Sequence, residues 1–153
     1  AMRESGESLP AGYREAMAER AVRDYGAFVQ QYPGEWSVVI EYIEWVHALQ
    51  GPEAALEAIS DLRAKFGQDL SFSYFEAYFH AESGDLETAR RLGETFAARI
   101  SDESSPQPHY LRAYIAFTAG DLEGAAAYVD RALELDPRHL IAERLHNEIE
   151  AAR

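Results

Sequence analysis

The four residues Gly-Asp-Leu-Glu occur twice in this chain, at 84–87 and at 120–123, and each copy joins two stretches with helical apolar spacing. The glycine suits the left-handed residue that ends one helix, and the aspartate after it is an N-cap, its carboxylate accepting backbone N–H groups of the next. With Gly51-Pro52 ahead of them, these junctions fall 33 and then 36 residues apart. A helix pair repeated at such a period cannot bury its apolar faces alone, so successive pairs stack on one another. No two-residue alternation of the β type competes with this pattern.

The stretch 120–137 states the unit most fully. Between Asp121 and Pro137, Ala125, Val129, Ala132 and Leu133 recur at three- and four-residue steps, which puts them on one helical face. The spacing predicts eight helices, over 10–32, 36–50, 52–66, 70–83, 85–100, 109–119, 121–135 and 137–152. Ser8-Leu9-Pro10 offers the first start, Pro33-Gly34 stops that helix, and Asp69 can cap the fourth. The first helix carries Met17, Ala21, Tyr25, Phe28 and Val29 on one stripe, and Ala21 precedes Pro33 by the same interval as Ala125 precedes Pro137. It therefore copies the second half of a pair. The last helix shows Leu140, Ile141, Leu145 and Ile149 on one side, as expected of the end of a stack. The polar run 101–108 is too short for an interdomain linker and reads as a loop within one array.

The chain has 153 residues, 47% hydrophobic and 27% charged, the composition of a folded domain. It lacks any apolar run of the roughly 18 residues that a membrane span needs. Residues 1–8 are polar and read as a tail, disordered or introduced with Ala1 in cloning, and 9–153 as a single helical repeat domain. A formal charge of -13 argues against nucleic acid, since binding a polyanion relies on Lys and Arg displacing counterions. With no cysteine, thiolate metal sites and cysteine nucleophiles are excluded, but the compartment stays open; a soluble protein is expected, the cytoplasm being preferred.

On Ala125, Val129, Ala132 and Pro137, with the small residues Ala77 and Ala113 and the turn glycines Gly51, Gly84 and Gly120, the sequence resembles the tetratricopeptide repeat (TPR) family. The resemblance covers about 16–137. Departures are Gly93 at a large-residue position, Glu44 at a small-residue position and the missing proline after Ile100. The implied fold is all-α, a right-handed α-solenoid of antiparallel helix pairs. It would hold about three repeats, a leading half-repeat and a C-terminal capping helix.

Arrays of this family curl so that the first helices of successive pairs line a concave groove for partner segments. The groove positions implied here are Glu41 and Trp45, then Tyr74 and Tyr78, then Tyr110 and Tyr114, with Phe117 one turn on. Phe72, Phe75 and Phe79 form a separate apolar stripe about 110° round the helix from Tyr74 and Tyr78. A line of tyrosines beside such a stripe suits a surface that is apolar yet hydrogen-bonding. Packing of the same tyrosines in the core is the alternative. The Lys, Asn and Arg with which some relatives grip a C-terminal carboxylate are missing from the matching positions.

Other constellations point less clearly to chemistry. His47 and His80 hold the same place in successive repeats, and His139, Glu143 and His146 share a face of the last helix at a spacing that zinc can use. Helix capping and solvated faces explain both, so neither a metal nor a cofactor is expected. Glu41 and Glu44 lack a marked pocket, and no nucleophile elbow or phosphate-cradling glycine loop is present. The sequence thus reads as a non-catalytic protein–protein interaction module. Its partner would be a protein or peptide of apolar or aromatic, basic or neutral character. Self-association as an assembly module, and service as an accessory or sensor domain of a larger enzyme or complex, are the alternatives.

Overall fold

A computed structural model describes residues 10–32, 35–67 and 70–153. The expected tail at 1–8, the Pro33-Gly34 stop and the Asp69 cap lie outside the described residues. Among those described, eight α-helices and no strand are found: α1 (Tyr13–Gln31), α2 (Trp36–Gln50), α3 (Pro52–Phe66), α4 (Leu70–Glu82), α5 (Leu86–Arg99), α6 (Gln107–Thr118), α7 (Leu122–Leu135) and α8 (Leu140–Ala152). No helix among them is long and apolar enough to cross a membrane.

The chain divides into two compact units, 1–58 and 59–153. In the first, α1 packs on α2, and Val29, Val39, Ile43 and Val46 are buried. Gly26 lets the two helices approach: a Cβ there would lie 3.2 Å from the Tyr42 ring. The α1 stripe is less covered than its periodicity implies. Val29 is fully buried, but Met17 and Phe28 are exposed and Ala21 and Tyr25 only half-buried, because α2 packs along one edge of the stripe.

In the second unit, α4 pairs with α5 and α6 with α7, and the repeated Gly-Asp-Leu-Glu sequence becomes a repeated turn. Gly84 and Gly120 take φ of 90° and 83°, conformations that a side chain disfavours. Asp85 N–H donates to His80 O and Asp121 N–H to Ala116 O, both at 2.9 Å, closing the ends of α4 and α6. Each aspartate then caps the next helix, Asp85 Oδ1 accepting from Thr88 N–H at 3.2 Å and Asp121 Oδ1 from Gly124 N–H at 3.0 Å.

The two hairpins are stacked by α5 on α6, and α8 closes on α7 and α6. One core gathers Ala77, Ala81, Ala89, Phe96, Leu111 and Ile115; a second holds Ala113, Ala125, Val129, Ala132, Leu145 and Ile149. The alanines let helix axes come close, and the larger residues fill what remains. Arg112 of α6 ties back to α5, its Nε and Nη2 donating to the two carboxylate oxygens of Glu94 at 2.9 and 2.8 Å. The expected α8 stripe is corrected at its start. Ala142, Leu145 and Ile149 form the buried face, whereas Leu140 is 74% and Ile141 56% exposed, since helical spacing turns Leu140 to the opposite side of α8 and sets Ile141 at the margin of that face.

Candidate functional site

The pairing order places α4, α6 and α8 side by side, with α5 and α7 as the second helices of the hairpins. A residue repeated on the first helix of each pair therefore meets its counterpart across a helix–helix seam. Tyr78 of α4 stacks on Tyr114 of α6, ring centroids 4.6 Å apart and planes 24° from parallel. Tyr114 stacks in turn on Tyr110 one turn earlier, at 6.5 Å, and Tyr110 on His139 at the start of α8, at 5.6 Å. Four rings thus run continuously across three helices.

Polar groups edge this ladder. Tyr114 donates its phenolic hydrogen to the Glu82 carboxylate, which also lies beside the Tyr78 phenol. Burial first, and then the Glu82 charge, pushes the Tyr78 phenol above its ordinary range. Burial raises Tyr110 to about 12, helped by the negative charges of Glu148 and Glu82 and opposed by Arg144. Tyr74 is raised in the same direction by burial and the nearby Tyr110. These phenols stay protonated at neutral pH, and that of Tyr78 hydrogen-bonds the Glu82 carboxylate.

The sequence-predicted positions divide by location. Tyr74, Tyr78, Tyr114 and Phe117 are half-buried on the α4–α6 face, whereas Tyr110 is only 6% exposed and sits in the core beneath its neighbours. Tyr74 also leans on Phe96 of α5, edge to face at 5.4 Å. Glu41 is exposed and Trp45 half-buried, both on α2 in the first unit.

Glu82, His139, Arg144 and Glu148 are the additions that the structure makes. Glu82 follows Tyr78 by four residues, so its shared face is readable from helical spacing. The α8 residues give no such signal, because their relevance depends on how α8 meets α6.

The histidines are engaged in structural ways. His139 caps α8, its Nδ1 accepting the Ala142 N–H at 3.0 Å, and His146 Nδ1 faces Asp130 Oδ1 of α7 at 3.5 Å. His80 Nδ1 stands 3.6 Å from Asp85 Oδ2 across the α4–α5 turn. No cluster of three His, Cys, Asp or Glu able to hold a metal occurs among the described residues. Burial, and then Glu41, raises the Glu44 carboxyl above the usual range, while nearby His47 opposes the shift.

Fold and wall together define an all-α helical repeat protein whose first helices present aromatic rings on one side. Residues 106–139, spanning α6, α7 and the turn into α8, match the family described as tetratricopeptide repeat. That match contains the Ala125, Val129, Ala132 and Pro137 pattern on which the sequence resemblance rests. Comparison with curated proteins and with solved structures gave no match.

Proposed function

We propose that this chain is a non-catalytic protein–protein interaction module that holds a partner segment along the face of the first helices α4 and α6 of its second unit. The ladder Tyr78–Tyr114–Tyr110–His139 carries this reading. Buried Tyr110 fixes the ladder, and half-buried Tyr74, Tyr78, Tyr114 and Phe117 offer ring faces and edges to a ligand. Rigid aromatic groups lose little conformational freedom when they bind, which suits them to recognition. Glu41 and Trp45 hold the corresponding register positions on α2 and are proposed as partner contacts of the first unit taken by itself.

Charge favours a particular ligand. Glu82 and Glu148 flank the rings, Arg144 offsets them in part, and the chain carries -13 in all. A segment with an apolar or aromatic anchor and basic or neutral neighbours meets this surface favourably, while an acidic one is repelled. The test is selection from a random-peptide library on the immobilised chain, followed by titration of the winning peptides. Tyr78→Ala and Phe117→Ala should weaken binding by roughly tenfold each with helicity retained. Wild-type affinity in both variants would overturn the assignment of the site.

A further inference from the structure

The stripe along α1 is unlike its counterpart in α7. Ala21, Tyr25 and Phe28 stand in the register of Ala125, Val129 and Ala132, each set the same distance before a proline. The α7 residues are all 0% exposed, with α6 and α8 both packed on that helix. In α1, Ala21 and Tyr25 are half-buried and Phe28 is 40% exposed. What remains is a groove of about 800 Å³, with Met17, Ala21, Tyr25 and Phe28 of α1 on its floor and Val38 of α2 at its edge.

Two charged residues also line this groove. Arg20 and Asp24 lie one turn apart and 3.5 Å from each other, their side chains 77% and 65% exposed. The lining as a whole is formally neutral on a chain of net charge -13. That matters for the choice of occupant, since two copies of so acidic a chain repel unless the surfaces that meet are locally balanced.

We propose that the occupant is α1 of a second copy, packed antiparallel about a two-fold axis. Such an axis, passing between Ala21 and Asp24, sets Arg20 of each copy against Asp24 of the other. It also brings Met17 of each copy to Phe28 of the other, with Ala21 small enough for the helices to approach closely. The order of charges, positive and then negative along the helix, is complementary to itself only in this orientation. An isologous interface of this kind closes at two copies. It supplies α1 with the cover that α6 supplies to α7.

Light scattering on the full chain across a micromolar concentration series tests this. A rise with concentration towards twice 17.2 kDa is expected, and a mass of 17.2 kDa throughout would overturn the proposal. Charge reversal then tests the geometry. Arg20→Asp or Asp24→Arg alone turns two attractions between copies into two repulsions and should weaken self-association about tenfold or more. Mixing the two single variants, or combining both changes in one chain, restores opposite charges across the axis and should restore the dimer. The mixing arm separates the interface from any loss of the Arg20–Asp24 pair within α1, because neither single variant regains that pair. Failure to recover the dimer on mixing, or single variants that dimerise like wild type, would also overturn it; circular dichroism checks that each variant keeps its helicity.

Discussion

Tyr114 of α6 donates its phenolic hydrogen to Glu82 of α4, so a side-chain bond crosses the seam between two successive first helices. The same carboxylate lies beside Tyr78, whose ring stacks on Tyr114. The three residues act as one brace. A double-mutant cycle with Tyr114→Phe and Glu82→Gln, followed by urea denaturation, should return a coupling energy on the order of 1 kcal/mol, tempered by the exposure of Glu82. Additive single effects would show that the brace adds nothing.

The phenols give the fold an alkaline limit. Tyr110 titrates at about 12 in the folded chain against 10.0 for an ordinary phenol, and Tyr74 and Tyr78 are raised as well. The folded state therefore holds these protons more firmly than the unfolded state. Their contribution is fully present below the ordinary phenol value and is lost as pH rises from there through 12. Phenolate absorbance and helical ellipticity should change together over that range. A phenolate titration complete before any helix is lost would contradict this.

Glu44 works in the opposite sense from a stabilising carboxylate. Its folded-state value lies above the ordinary one because of burial and the neighbouring Glu41. Stability is thus present at acid pH and declines as pH rises through this shifted titration. Glu44→Gln should raise the unfolding free energy at neutral pH, by less than about 1 kcal/mol given its exposure, and urea melts in acid should show the gain gone.

Asp121 holds the start of α7 through its bond from Gly124 N–H. Asp121→Ala should cost about 1 kcal/mol in chemical denaturation, while Asp121→Asn, which keeps an accepting oxygen, should cost much less.

The revised burial of α8 makes a paired forecast. Ile149→Ala, at a position 0% exposed, should cost about 3 kcal/mol, and Leu140→Ala, at 74% exposure, should stay within about 0.5 kcal/mol. Thermal or urea melts of the two variants decide it.

Much of the fold is legible in the sequence because its helix ends are written in residues with local physical effects. The Gly84-Asp85 and Gly120-Asp121 pairs stop one helix and cap the next without any tertiary help, and α2 and α3 span the limits that their prolines, glycines and apolar spacing imply. Exposure is less legible. Periodicity shows that Met17 and Phe28 share a face with Ala21, but not whether another helix covers that face; at α8 the covered face is centred on Ala142, Leu145 and Ile149, which leaves Leu140 on the far side. At the wall, the tyrosines are visible as a recurrence at Tyr74, Tyr78, Tyr110 and Tyr114. The stacking of His139 and the proximity of Glu148 and Arg144 depend on how α8 meets α6, which no local pattern encodes.

The division at residue 58 has a spectroscopic corollary. Both tryptophans, Trp36 and Trp45, belong to the first unit, while 59–153 has tyrosines but no indole. Intrinsic emission excited at the red edge of the indole band consequently samples 1–58 alone, whereas ellipticity sums over every helix. Superimposable melts from the two signals would mark a single cooperative transition, and separated midpoints would reveal one unit surviving after the other has melted.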